Sequence, residues 1–214
     1  MANDAAVQEA LHELAGRLVI PVDLIEVHRR QPSLGRTREF QSIRYGAFLL
    51  AYASFERYFN HLVELHGGPS RGLPATMDKI REAIATHLAV INATGQWRAR
   101  VRVAPTRDSR DRRAKWTYLE SQRLRDYLRD AQQLRHRLAH GAEPTGTTNH
   151  SQTLFALAKG GVSANLMWVE GFVQAVQDLA SITAITISGP GVELPGWPEP
   201  TRSGVSAAML PPPY

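Results

Sequence analysis

"YGAFLLAYASFERYFNHLVE", Tyr45–Glu64, decides the fold class. Tyr45, Phe48, Leu49, Tyr52, Phe55, Phe59, Leu62 and Val63 recur three or four residues apart, the spacing that gathers side chains on one face of an α-helix. The pattern extends the helix to about 38–66, and "HGGPSRGLP" after it supplies the Gly and Pro that end it.

The same periodicity recurs on both sides. Val7, Leu11, Leu14, Leu18, Val22 and Ile25 mark a first helix, which Pro21 is expected to kink or split; "QPSLG" (31–35) then makes a turn. Ile80, Ile84, Leu88 and Ile91 mark a third, starting near Pro74. Leu124, Leu128, Ala131, Leu134 and Leu138 place a fourth over about 117–139. Leu166, Val169, Val173, Val176 and Leu179 place a fifth over about 162–184. Only Val101 and Val103 suggest a short strand or hairpin arm. The expected fold is therefore all-α, an up-and-down bundle of four to five helices over residues 1–187 with a basic insertion at 95–116. The Pro- and Gly-rich 188–214, ending "LPPPY", reads as an extended tail, disordered or draped on the surface. Its last residues resemble a Pro-Tyr ligand for WW-type modules, although in a tail this rich in Pro an extended chain end is the better explanation.

The composition is ordinary for a globular chain of 214 residues. With no cysteine there are no disulfides, Cys-ligated metals or thiol nucleophiles. The N-terminus carries acids and periodic apolar residues where a secretion signal carries cations and an unbroken apolar run. The most apolar segment, 162–187, is interrupted by Glu170, Gln174, Gln177 and Asp178, so no membrane association is expected and a cytoplasmic location is.

Two charges break two apolar stripes. Glu56 lies four residues after Tyr52 and three before Phe59, and Arg135 lies four after Ala131 and three before Leu138. A lone buried charge is costly, so opposite charges in the middle of two stripes are expected to meet between packed helices. Such a pair either fixes helix register or presents Arg135 to an anionic ligand.

Arg135 opens "RHRLAHG", 135–141. Cationic groups at a helix C-terminus followed by a C′ glycine make an ordinary cap. Arg135 with His140 five residues on, His136 between them, Gly141 next, and "ASFERYF" (53–59) on an earlier helix also resemble the HEPN superfamily over roughly residues 5–185. That resemblance implies a metal-independent endoribonuclease, dimerising to bring two motifs to one cleft, often in toxin–antitoxin or phage-defence systems. It implies that His140 moves protons as an RNA 2′-hydroxyl attacks its own phosphate. Arg135 stabilises the phosphorane-like transition state, His136 assists placement or proton transfer, and Glu56 holds Arg135. The chain departs from the pattern where a Tyr often follows two residues after the motif His, because Ala142 stands there. Arg135 and His140 also lie about 140° apart on an ideal helix, so they share a face only if the last turn loosens or two chains combine.

Eight basic residues, Arg98, Arg100, Arg102, Arg107, Arg110, Arg112, Arg113 and Lys115, stand against Asp108 and Asp111 between two tryptophans, Trp97 and Trp116. This segment supplies the chain's net positive charge of +5. It is expected either to grip RNA phosphates, with the tryptophans as stacking surfaces, or to form a charged loop anchored by them. His136/His140 and His61/His66 lack acidic neighbours that would complete a ligand set, so neither metal nor other cofactor is expected. The expected partners are RNA, a second copy of the chain, and an antitoxin or defence-system protein. The alternatives are a non-catalytic HEPN module binding RNA or protein, and an oligomerisation domain with a charged insertion.

Overall fold

The computed structural model describes residues 2–30, 40–68, 76–90, 92–103, 115–200 and 210–214. Their element order is α1 (Ala2–Arg29), α2 (Gln41–Leu65), α3 (Met77–His87), β1 (Arg98–Val103), β2 (Lys115–Glu120), α4 (Ser121–Ala139), β3 (Phe155–Ala156), β4 (Val162–Ser163) and α5 (Leu166–Ser188). The chain is mostly helical but not all-α. β1 and β2 form an antiparallel hairpin in register from Arg98↔Glu120 to Val103↔Lys115, and β3 pairs antiparallel with β4.

α5 is the axis of the molecule. Every residue from Trp168 to Ala184 is buried. α1 and α2 pack on it from one side and β1 lies against it on another. The aromatic stripe expected on α2 is the centre of the core. Phe48 lies 5.1 Å from Phe172, Tyr52 stacks on Phe172 at 5.9 Å, and Phe59 meets Trp97 at 5.8 Å. Asn165 caps α5 by accepting from the Trp168 N–H at 2.8 Å.

The two acids that interrupt α5 pair with the hairpin, while Gln177 donates to the Pro198 carbonyl of the tail at 2.8 Å. Asp178 accepts from the Arg100 backbone N–H at 2.8 Å, and its carboxylate takes the Arg100 guanidinium at 2.5 Å. Glu170 accepts from Arg102 at 2.5 Å and from Arg29 of α1 at 2.7 Å. Gly171 lets the strand sit this close. A Cβ there would stand 2.4 Å from the Arg102 backbone nitrogen.

Three expectations are corrected. The fourth helix begins at Ser121, because "KWTYLE" pairs as β2 instead of opening the helix. Pro21 neither splits nor ends α1. It is buried inside one unbroken 28-residue helix, whose neighbours Leu18, Val22 and Ile25 are buried on both sides of it. The third helix runs Met77–His87, capped by Thr76, so Leu88, expected within it, is its C-cap; Pro74 and Ile91, also expected to belong to it, lie outside the described residues. The described parts of the tail, 189–200 and 210–214, lie against the rest of the chain. Val192, Leu194 and Trp197 pack on the core, Gln8 donates to the Glu193 carbonyl, and Arg100 and Tyr118 donate to the carbonyls of Leu210 and Pro211.

Candidate functional site

The helix carrying "RHRLAHG" ends by a Schellman motif. His140 is the C-cap, the Gly141 N–H donates to Leu138 O at 3.2 Å, and the Ala142 N–H donates to Arg137 O at 2.8 Å. Gly141 adopts φ +66°, the left-handed conformation that favours glycine there. α4 therefore stays helical to Ala139, and the last turn does not loosen. His136 and His140 share one face with ring centroids 4.4 Å apart, and both are exposed.

Arg135 and Glu56 do meet, at 3.5 Å between Nη2 and Oε2. Their setting corrects the expectation of a buried pair, since the side chains are 42% and 22% exposed. The helical stripe is intact, but it runs past the end of the core. Leu134 is buried, whereas Arg135 and Leu138 one turn on are half-covered. Arg135 thus stands at the lip of an open groove of about 330 Å³ lined by Glu56, Arg129, Gln132, Gln133, Arg135 and His136.

Beneath the pair lies Tyr52, fully buried one turn before Glu56. Burial first, then the Glu56 charge, pushes its phenol well above the usual tyrosine value, and Arg135 pulls it back. Its hydroxyl has no hydrogen-bond partner among the described residues. On the other side, Asp130 is fully buried and its carboxylate accepts from Thr148 Oγ1, the His150 and Ser151 N–H groups, and Ser151 Oγ, at 2.7–3.1 Å. Gln133 accepts from the Thr148 N–H at 2.5 Å. Arg137 is withdrawn into the same loop, where it donates to Glu143 O at 2.7 Å.

The basic segment divides. Arg100 and Arg102 are buried in their carboxylate pairs and cannot contact RNA phosphates, which corrects that assignment. Arg98 is at the surface, stacked over the Tyr118 ring at 3.8 Å and 3.6 Å from Glu120. Lys115 is exposed at the start of β2. Arg107, Arg110, Arg112 and Arg113 lie outside the described residues. Trp97 and Trp116 are buried, with Trp97 donating to Thr183 Oγ1 at 3.0 Å, so they anchor the hairpin and offer no stacking surface.

A larger cleft, about 400 Å³, lies where Ile182 and Ile185 of α5 meet Val192, Leu194, Pro213 and Tyr214 of the tail, and no charged side chain lines it. Among the described residues no three His, Asp or Glu side chains gather as a metal site, and no helix is long and apolar enough to cross a membrane.

Sequence reasoning missed Arg129, Gln132, Gln133 and Tyr52. The signal was present, since 129, 132, 133 and 136 follow helical spacing on the polar side of α4, and Tyr52 precedes Glu56 by one turn. The chain matches no protein-family model, no curated protein and no solved structure.

Proposed function

We propose that this protein is a metal-independent endoribonuclease of HEPN type, acting in defence or as a toxin. The observation that carries the reading is the groove in which Glu56 orients Arg135 beside His136, with the His140 ring tilted against His136 one turn further on. A guanidinium and two imidazoles can supply the charge stabilisation and the two proton transfers of RNA transphosphorylation. An imidazole takes the proton of the 2′-hydroxyl as its oxygen bonds to the adjacent phosphorus. The P–O5′ bond breaks, and the departing 5′-oxygen receives a proton from an imidazolium. Arg135 neutralises charge on the phosphoryl oxygens between these events. The products carry a 2′,3′-cyclic phosphate and a 5′-hydroxyl, and DNA is inert because it lacks the nucleophile. Neither proton transfer by imidazole nor charge stabilisation by guanidinium needs a metal ion.

His140 does not line the groove that holds Arg135, and this favours two chains sharing one cleft, or else a second reading in which a non-catalytic HEPN module binds RNA or a protein partner. One experiment separates these. End-labelled RNA is incubated with pure protein in EDTA, and the product ends are mapped. The enzyme reading expects cyclic-phosphate ends from wild type and none from Arg135→Ala or His140→Ala, with folding unchanged by circular dichroism. Intact RNA, or equal cleavage by His140→Ala, discards it. Equal RNA affinity in all three proteins without cleavage selects the module.

A further inference from the structure

The polar face of α4 continues beyond the groove. Arg125, Arg129, Gln132, His136 and His140 follow one another at three- and four-residue spacing, within an arc of about 80° and over roughly 22 Å. Arg125 and Arg129 stand one helical turn apart, near 6 Å, as do His136 and His140, and Gln132 lies in the gap of about 10 Å between the two pairs. The spacing of the two arginines is comparable to the step between consecutive phosphates of an extended strand. Arg129 lines the groove of Arg135 and His136, so the stripe and the candidate site are one continuous surface.

The carboxylates facing this stripe are few among the described residues. Asp78 of α3 stands 3.5 Å from Arg125 and 3.6 Å from Arg129, both longer than a charge-assisted hydrogen bond. One carboxylate between two guanidinium groups leaves a net positive charge. Asp126 accepts from Gln122 at 2.8 Å, and Glu56 is turned to Arg135. Arg125 also donates to Gln122 Oε1 at 3.2 Å. The arginines of β1 behave oppositely, since Arg100 and Arg102 are consumed by buried carboxylates. Gln132, in the middle of the stripe, offers both a donor and an acceptor to a base edge.

We infer that the substrate is single-stranded RNA held along the exposed face of α4, with Arg125 and Arg129 contacting phosphates on one side of the reacting nucleotide. The inference rests on the endoribonuclease reading. In-line attack by a 2′-oxygen requires the nucleotide to leave A-form geometry, and a single helix face grips one strand, not two. Asp78 occupies the two guanidinium groups until phosphates replace it.

The test uses a fluorescein-labelled RNA of about 12 nucleotides, within the span single-strand sites occupy. Every 2′-hydroxyl carries a methyl group, so the probe binds without being cut. Fluorescence anisotropy is measured from low to moderate salt. The double variant Arg125→Gln/Arg129→Gln is expected to bind tenfold or more weakly. Its log–log salt slope should flatten by about 1.4, since each lost phosphate contact on a single strand accounts for about 0.7. Asp78→Asn, which removes the competing carboxylate, is expected to bind more tightly, and Arg17→Ala, an exposed cation of α1 away from the stripe, to bind as wild type does. Failure of wild type to bind the probe overturns the inference, as does an unchanged slope in the double variant. So does tighter binding of the methylated duplex than of the strand. If wild type cleaves RNA while the double variant keeps its KM, the α4 path is wrong and the nuclease reading survives. If wild type binds through Arg125 and Arg129 but never cuts, the surface assignment survives and the nuclease reading falls.

Discussion

Two acid–arginine pairs in this molecule share their chemistry and differ in what surrounds them. Glu56 and Arg135 are partly exposed and 3.5 Å apart, so water screens them and their mutual attraction adds at most about 1 kcal/mol to stability. Asp178 is wholly buried, held by Arg100 through three side-chain hydrogen bonds and one from the backbone N–H. Removing one partner there strands a buried charge, at a cost of about 3–5 kcal/mol. Glu56→Gln is therefore expected to leave the urea midpoint nearly unchanged, and to lower the RNA cleavage proposed for this groove, because Arg135 loses its orienting charge. Asp178→Ala is expected to lower the midpoint sharply. Urea unfolding of the two variants checks both, and a larger loss from Glu56→Gln would reverse the assignment of which pair is structural. Tyr52 gives a third case. Its buried hydroxyl lacks a partner among the described residues, so Tyr52→Phe removes a desolvation cost and is expected to stabilise, by up to about 1–3 kcal/mol on the same measurement.

At the scale of elements, the contact between β1 and α5 is set by one missing side chain. The Arg102 backbone approaches Gly171 where a Cβ would be 2.4 Å from its nitrogen, and that atom is backbone, so it cannot swing aside. Gly171→Ala must push β1 away and lengthen the Arg102–Glu170 contact. The expected loss is about 1–3 kcal/mol from overpacking, despite alanine's better helix propensity. Thermal unfolding checks it, and a stabilised Gly171→Ala would mean that the hairpin sits farther from α5. The helices were legible because Phe48, Tyr52, Phe55 and Leu62 repeat at a spacing only a helix can bury. The hairpin was half legible. "RARVRV" alternates, as strands do, but alternation assigns its arginines to solvent. Their partners, Asp178 and Glu170, lie 78 and 68 residues away and looked like mere interruptions of an apolar helix. The Glu56–Arg135 encounter was readable from two helical wheels, whereas its exposure was not. A wheel gives the direction of a side chain around the helix and says nothing of where the core stops along it.

At the scale of the whole molecule, one buried imidazole couples the fold to pH. His28, near the end of α1, is 4% exposed and packs edge-on against Phe40 at 6.3 Å. Burial first, and the Arg44 charge second, lower its pKa below the ordinary 6.5. A proton therefore binds the unfolded chain more readily than the folded one. The stability linked to His28 is complete above about pH 6.5 and is lost as pH falls from that value through the lowered folded one. Acidification from pH 7.5 to 5 is expected to lower Tm, and His28→Phe, which keeps an aromatic ring there without a titrating group, is expected to flatten that part of the curve. Differential scanning calorimetry across the interval provides the measurement. An equally steep decline in His28→Phe would assign the acid sensitivity to other groups.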